Sequence, residues 1–245
     1  IARLHGEEDR VWVDLDDMSP YMANAFIALE DTRFESHGGV DWIRTIAVMI
    51  KPEFAGQGAS TITQQLIKNL TDDDQTTYFR KFNEIIRALN LEKNYSKKDI
   101  IEAYLNTVSL GAGCYGVKTA AETYFGKEVS DLTLLECATL AGIIKWPYSG
   151  NPYVNMELCM ERKNRCLKAM WEEGKISEKT YTKLLEKERI AKAKAKEKEK
   201  SKKKTSKATK KATSAFTKTV NSAANTIGRE VGKKIVRGIF DTFLK

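Results

Sequence analysis

Histidine and closely paired cysteines are scarce in this chain of 245 residues. The sequence has two histidines, His5 and His37, and its four cysteines contain no Cys-x-x-Cys pair. Structural zinc sites are built from clusters of these residue types, so the composition argues against one. Cys159 and Cys166 lie seven residues apart on one face of a predicted helix. That spacing favours two buried thiols over a disulfide bridge.

Long apolar runs and successive strand patterns are also missing. No stretch approaches the roughly 20 apolar residues of a membrane-spanning helix. No secretory signal peptide is visible, and the first residue is Ile1 and not Met, so parts of a longer protein could lie upstream. Helical patterns follow one another along the chain, and we therefore predict a mainly α fold.

The net charge of +8 is concentrated near the carboxyl end. Residues 191–215 hold eleven lysines against two glutamates, a net charge of +9, which leaves about −1 for the rest of the chain. Because the body is nearly neutral, its charge does not indicate a fold that binds nucleic acid.

The charge pattern divides the chain into three predicted parts. Residues 1–190 form the main domain, and residues 191–215 form a Lys-rich linker that we expect to be disordered. Residues 216–245 carry apolar side chains at helical spacing with interleaved Lys and Arg, which predicts a basic amphipathic helix. This helix could lie on an anionic membrane, dock on a partner, or pack weakly on its own domain.

Local signals place the first elements of the main domain. Val11-Trp12-Val13 is the strand candidate. Ser19-Pro20 predicts the start of a helix that runs to about Asp31. Ser60 is the predicted cap of a later helix, and the apolar residues 40–56 predict either core or a flap that faces lipid.

The most informative segment begins with Glu30 and Asp31, which close an apolar helical run. Phe34, His37 and a pair of glycines follow within eight residues. Glycine lets the backbone approach a ligand closely. A carboxylate beside such a turn is a candidate general base.

A second polar block crowds hydroxyls and amides into the first turns of a predicted helix. Its members are Ser60, Thr61, Thr63, Gln64 and Gln65, with Lys68 one turn further on. The free amide groups of a helix N-terminus attract anions such as phosphate, and a lysine adds a positive charge. A polar cap is the simpler explanation, but a cap needs only one hydroxyl.

The third and fourth blocks have more ordinary spacings. Glu84 lies four residues from Arg80 and three from Lys81, which favours an intrahelical ion-pair ladder over a substrate site when spacing alone is considered. Glu102 and Asn106 are one turn apart, and we expect them to brace a neighbouring helix.

In their order and residue patterns, the four blocks resemble the motifs of the peptidoglycan glycosyltransferase domain, glycosyltransferase family 51. That family includes monofunctional glycosyltransferases and the glycosyltransferase half of class A penicillin-binding proteins. The matched patterns are E-D-x-x-F-x-x-H-x-G from Glu30, G-x-S-T-x-T-Q-Q from Gly58, R-K-x-x-E from Arg80 and K-x-x-I-x-E-x-Y-x-N from Lys97. The resemblance covers about residues 5–185, and four ordered motifs make it specific. One departure is Lys163, which stands where a fifth motif usually has a second arginine.

The resemblance implies a lysozyme-like globular lobe with a small lobe that dips into the membrane. It implies that the enzyme polymerises lipid II into β-1,4-linked glycan strands with inversion and releases polyprenyl diphosphate. The expected location is the extracytoplasmic face of the cell membrane. The expected partners are lipid II, the growing lipid-linked glycan, the membrane surface and other cell-wall synthesis proteins, with no nucleic acid for the catalytic domain.

The resemblance also assigns roles to residues. Glu30 is the general base, and Glu84 is the second catalytic acid, which could bind a divalent ion, Mg²⁺ or Mn²⁺, beside the diphosphate. The substrate-binding residues are Asp31, Ser60, Thr61, Gln64, Gln65, Lys68, Arg80 and Lys81. Structural support comes from Phe34, His37, Glu102 and Asn106.

Two other functions compete with this one. A lytic transglycosylase of lysozyme-like fold also uses one Glu after a helix, but it does not need the cations near a diphosphate, such as Lys68. A non-catalytic module could bind nucleic acid or anionic lipid through the Lys-rich tail. That function would leave Glu30 and Glu84 without a use.

Overall fold

The computed structural model describes residues 11–50, 58–71 and 78–209, and over these ranges the chain is helical. Its α-helices are α1 Met22–Glu30, α2 Trp42–Ile50, α3 Ile62–Thr71, α4 Tyr78–Asn94, α5 Lys97–Thr107, α6 Val117–Ala120, α7 Leu134–Ile143, α8 Met156–Glu172 and α9 Glu178–Thr209. Within these ranges the β pairing is limited to one bridge between Ser109 and Tyr115. The prediction of a mainly α fold is confirmed.

The chain divides into two compact units, residues 1–175 and 176–245. The second unit contains α9, which continues to Thr209, so the predicted disordered linker is helical up to that residue. Alanine, lysine and glutamate all have high helix propensity, and this local preference outweighs the repulsion between lysines. The predicted helix at 216–245 lies outside the described residues, and the three-part division stays a prediction. None of the described helices has both the length and the apolar composition that a membrane crossing needs.

The core of the first unit forms around α7. All ten residues from Leu134 to Ile143 are buried, and α7 packs against α1 and α8. Gly142 lets α8 come close, because a Cβ atom there would lie 3.1 Å from the Cβ of Arg162. The buried face of α1 fixes the position at which that helix ends, which is Glu30.

Helix α1 begins later than the sequence predicts. The hydroxyl of Ser19 donates to the carbonyl of Leu132 at 2.7 Å and does not cap the helix, whose first residue is Met22. The predicted cap was wrong because a long-range partner takes the hydroxyl. Ser96, by contrast, does form a capping box with Asp99 at the start of α5.

The segment before α1 is extended but is not a strand, so the predicted strand at Val11–Val13 was wrong. Its backbone pairs with side chains of α5. The Val13 amide donates to the Asn106 Oδ1 atom at 2.9 Å, and the Asn106 amide donates back to the Val13 carbonyl at 2.8 Å. Glu102 accepts from the Leu15 amide at 2.8 Å. Glu102 and Asn106 therefore brace this segment and not a neighbouring helix.

The four cysteines are free and buried, and the prediction of buried thiols from the spacing of Cys159 and Cys166 is confirmed. Burial raises the pKa of Cys137 and of Cys159 to about 12, because a thiolate would lose its hydration. The thiols behave as small apolar core residues.

The turn after α1 depends on Gly39. Its φ angle is +97°, and a Cβ atom there would lie 2.6 Å from the carbonyl oxygen of Ala88 in α4. The neighbouring Gly38 has open space around it. Only one of the two adjacent glycines is therefore required by the fold.

We expect Gly39→Ala to destabilise the protein by about 1–3 kcal/mol, because the new methyl group meets backbone and the φ angle is unfavourable for alanine. The measurement is urea unfolding followed by circular dichroism. Gly38→Ala is the matched control and should change stability little. Equal losses in the two variants would contradict the packing described for Gly39.

Candidate active site

A cleft of about 540 Å³ opens beside the end of α1. Four of the residues predicted from sequence line it together: Glu30, Ser60, Gln65 and Lys68. They come from α1, from α3 and from the segment that precedes α3. The fold therefore brings the first and second motifs to one surface.

The cleft is strongly cationic. Among the residues that the structure describes, its lining contains one acid, Glu30, together with five basic residues: Arg44, Lys68, Lys145, Arg162 and Arg165. Of these five, only Lys68 was predicted to bind substrate. A concave surface with this balance attracts an anionic ligand. The other four cations lie in α2, after α7 and in α8, and their approach to Glu30 depends on tertiary packing.

Glu30 is held at the cleft with its side chain 17% exposed. Its Oε2 atom accepts a hydrogen bond from the Gln65 Nε2 atom at 3.2 Å, and an Arg162 nitrogen lies 3.9 Å from its Oε1 atom. Arg44 donates to the Glu30 backbone carbonyl at 3.0 Å. The acid is thus fixed by three neighbours yet remains open to the cleft.

Tyr104 sets the orientation of Gln65. Its hydroxyl lies 2.8 Å from the Gln65 Oε1 atom. Burial raises the pKa of Tyr104 well above its ordinary value, and the charges of Glu30 and Asp31 add to this, so the hydroxyl keeps its proton and can donate. With Oε1 accepting from the hydroxyl, Gln65 presents its amide nitrogen to Glu30. Tyr104 is in the fourth motif but had no predicted role.

Asp31 points away from the cleft and into the protein. Its side chain is 1% exposed and accepts from the His37 Nε2 atom and from the Ile62 amide, each at 2.9 Å. The Gly39 amide donates to the His37 Nδ1 atom at 3.2 Å, which leaves the proton of the neutral ring on Nε2. The carboxylate therefore joins the turn of the first motif to the start of α3.

The start of α3 is closed to an external anion at these amides. Thr61, and not Ser60, is the cap: its hydroxyl accepts from the Gln64 amide at 3.1 Å, and the Gln64 side chain accepts from the Thr61 amide at 3.0 Å. Asp31 occupies the Ile62 amide. The expectation of free amide groups was wrong for these three amides, because the Asp31 carboxylate, the Thr61 hydroxyl and the Gln64 side-chain oxygen accept from them.

Three of the eight residues predicted to bind substrate are thus buried outside the cleft lining. They are Asp31, Thr61 and Gln64, each 2% exposed or less. Their polar atoms are engaged inside the protein, and Thr61 also donates to the Gly39 carbonyl at 2.7 Å. They position the two motifs relative to each other.

The third motif reaches the cleft through a chain of contacts. Glu84 is 6% exposed and forms ion pairs with Arg80, at 2.9 Å, and with Lys81. The Lys81 ammonium donates to the Ser60 hydroxyl at 2.9 Å, and Ser60 lines the cleft. The ion-pair ladder predicted from spacing is present, and it also directs a cation towards the second motif.

Glu84 does not have the surroundings of a metal ligand in the described part of the chain. Its two carboxylate oxygens accept from Arg80 and Lys81. No group of three or more acidic, histidine or cysteine side chains that could hold an ion is found among the described residues. Mg²⁺ and Mn²⁺ need several oxygen ligands, so these residues do not fit a resident ion, and metal use stays a prediction.

A second set of contacts, made by Lys97 at the start of α5, supports the turn of the first motif. Lys97 donates to the His37 carbonyl and to Glu92, each at 2.7 Å, and lies 4.4 Å from the centre of the Phe34 ring. Thr63 donates to the same Glu92 carboxylate at 2.6 Å. Phe34 and His37 both contact Lys97 in this turn, and their supporting role stays a prediction. Glu92 was missed because it lies outside the four motifs.

Known relatives of the chain are penicillin-binding proteins. It is 41% identical over 192 residues to penicillin-binding protein 1A of Aquifex aeolicus, which covers 76% of this chain and 26% of that protein. It is 43% identical over 180 residues to penicillin-binding protein 1A of Escherichia coli, covering 72% of this chain and 21% of that protein. The crystal structure of penicillin-binding protein 1A from Haemophilus influenzae aligns with 28% identity and a TM-score of 0.45, over 72% of this chain and 17% of that one.

The chain spans about a quarter of the length of the curated relatives it matches. The family model described as Transglycosylase matches residues 1–171, which include all four motifs and most of the cleft-lining elements. With a match of this extent, the chain belongs to the transglycosylase family.

Proposed function

We propose that this transglycosylase polymerises lipid II into β-1,4-linked glycan strands with inversion and releases polyprenyl diphosphate. The observation that carries the proposal is the composition of the cleft wall in the described ranges, which combines one acid, Glu30, with five cations. The reaction must deprotonate a sugar hydroxyl and carry the negative charge of a leaving diphosphate. A lytic enzyme needs the acid but has no use for so many cations.

Glu30 acts as the general base. Its Oε2 atom accepts from Gln65, whereas among the described residues only Arg162 approaches its Oε1 atom, at 3.9 Å. One carboxylate oxygen is therefore available to take the proton from the 4-hydroxyl of the acceptor sugar. The loss of that proton lets the oxygen attack the anomeric carbon of the growing strand.

The cations of the cleft neutralise the leaving group. An arginine side chain can form two parallel hydrogen bonds to the oxygens of one phosphate, and Lys68 adds the positive charge of its ammonium group. Ser60 accepts from Lys81, so its own hydroxyl hydrogen can point into the cleft and donate to a phosphate oxygen. In this proposal Glu84 acts indirectly, because it holds Arg80 and Lys81 in place.

The exposed apolar face of helix α2 is the evidence for a lobe that dips into the membrane and receives the lipid carrier. Its exposed apolar side chains include Trp42, Ile43, Ile46 and Ile50. A short helix with such a face can lie in the membrane interface. The enzyme would then act at the extracytoplasmic face of the cell membrane, with the growing glycan and other cell-wall synthesis proteins as partners.

We expect Glu30→Gln to lower the rate of polymerisation of purified lipid II by about 10²–10⁴-fold, because it removes the base but keeps the shape of the side chain. Binding of lipid II should largely persist. Electrophoresis of the glycan product and a separate binding titration measure the two properties.

Glu35→Gln is the control, since Glu35 is an exposed acid of the same turn outside the cleft lining. Full activity in Glu30→Gln would refute the assignment of the base. Incubation of the wild-type protein with finished peptidoglycan tests the alternative that the protein is a lytic transglycosylase. Release of soluble fragments there would favour that alternative.

Tyr104→Phe should lower kcat by about 2- to 10-fold, with a smaller change in KM. The variant removes one hydrogen bond, which is worth about 0.5–1.5 kcal/mol, and frees the Gln65 amide to turn its oxygen towards Glu30. Steady-state kinetics with lipid II measure both constants.

The matched control is Tyr124→Phe. Tyr124 is equally buried, and its hydroxyl donates to the Leu110 carbonyl at 2.7 Å. This variant should lose similar stability without loss of kcat. Equal changes of kcat in both variants would contradict a role of Tyr104 in orienting Gln65 and would indicate that it only packs in the core.

A further inference from the structure

The loop between α7 and α8 presents two aromatic side chains to solvent. Trp146 is 41% exposed and Tyr148 is 78% exposed. Large aromatic side chains gain most when they are covered, and exposed ones on a loop are typical of binding surfaces. Neither residue belongs to the four sequence motifs.

The backbone of this loop is fixed. Gly111 has a φ angle of +74°, and a Cβ atom there would lie 1.8 Å from the Pro147 carbonyl oxygen, so the loop packs directly on the Gly111 turn. The buried Asn151 side chain donates to the carbonyls of Pro147 and Tyr148 at 2.9 and 3.2 Å. A loop that is held by its backbone presents its side chains at little entropic cost on binding.

The same loop borders the cleft. Lys145 and Pro147 line it, and the Trp146 ring is close to two cations, with Lys145 Nζ 5.0 Å and Arg162 Cζ 5.3 Å from its centre. Arg162 is the residue that approaches Glu30 at 3.9 Å. Trp146 is therefore separated from the proposed base by a single side chain.

We propose that Trp146 and Tyr148 form a carbohydrate subsite for the sugars of the growing strand beyond the ring that reacts. This inference rests on the proposed function. A cleft of about 540 Å³ is the size of a site for one small ligand, whereas the product is a polymer, so its further rings must pass over surfaces at the cleft border. Aromatic faces cover the apolar C–H faces of pyranose rings, and Lys145 can donate to their hydroxyl groups.

The chemistry of the loop favours a glycan over a lipid surface. Its large exposed side chains are Trp146 and Tyr148, close to Lys145 and Arg162, with a single exposed aliphatic side chain, Val154. Helix α2, by contrast, exposes three isoleucines, Ile43, Ile46 and Ile50, which suit lipid better. Trp and Tyr are also found at membrane interfaces, and vesicle binding is therefore one arm of the test.

The test uses the full chain and a lipid-free oligosaccharide of alternating N-acetylglucosamine and N-acetylmuramic acid, titrated by calorimetry. We expect Trp146→Ala and Tyr148→Ala each to weaken binding by about 2- to 10-fold and the double variant by more. Tyr95→Ala is the control, because Tyr95 is 58% exposed at the end of α4 and outside the cleft lining. It should bind like the wild type.

Because this titration involves no turnover, its result does not depend on polymerase activity. A wild type that polymerises lipid II but binds the oligosaccharide no better than the double variant would overturn the subsite alone. A double variant that loses binding to anionic vesicles while keeping oligosaccharide binding would also overturn it and assign the loop to the membrane. Tyr148→Ala keeps the test decisive if Trp146→Ala fails to fold, because Tyr148 is mostly exposed and its loss should cost little stability.

Discussion

The buried carboxylate of Asp31 is the contact on which the geometry of this site depends. It accepts from the His37 ring and from the Ile62 amide at the start of α3. A carboxylate without such partners would not be stable in the interior, since its desolvation costs several kcal/mol. The partial positive charge of the helix N-terminus adds to the stabilisation. Because Glu30 is the preceding residue, fixing Asp31 against α3 also fixes Glu30 beside Gln65.

The acidic residues of the first and third motifs have different roles according to how exposed their side chains are. Asp31 and Glu84 are almost fully buried, and each holds other groups in place: a histidine and a helix start in one case, two cations in the other. Glu30 keeps 17% of its side-chain surface accessible and lines the cleft. Glu92 has the same holding function for Lys97 and Thr63. A rigid surround of this kind is what lets one partly exposed carboxylate keep a defined position.

The sequence predicts the helices and the motif positions well, because both depend on local spacing. It fails where a partner is distant along the chain. The anion at the start of α3 is Asp31, thirty-one residues earlier than Ile62, and no local pattern reveals that pairing. Tyr104 could have been found, since it lies two residues from both Glu102 and Asn106 and so must face another side of α5. Lys145 follows α7 and Arg165 lies in α8, and only the packing of α1, α7 and α8 brings these cations to Glu30. Arg44 comes from α2, and its contact with the Glu30 carbonyl is not visible in any local pattern either.

The proposed reaction needs cations for the leaving diphosphate and an anionic Glu30 as the base, and these charges attract each other. Arg162 lies close to Glu30 and can interact with each anion in turn. In the proposed reaction, the cations that receive the diphosphate also attract Glu30, and Glu30 loses its negative charge when it takes a proton. Burial lowers the pKa of Arg162, and the charge of Glu30 opposes this effect, so Arg162 depends on a nearby anion. At about 4 Å such an attraction is worth roughly 4 kcal/mol at an effective dielectric constant of about 20. In the proposed reaction Glu30 becomes neutral as the diphosphate gains charge. The leaving group can then replace Glu30 as the counter-ion of Arg162, which couples proton removal to bond breaking within one cleft.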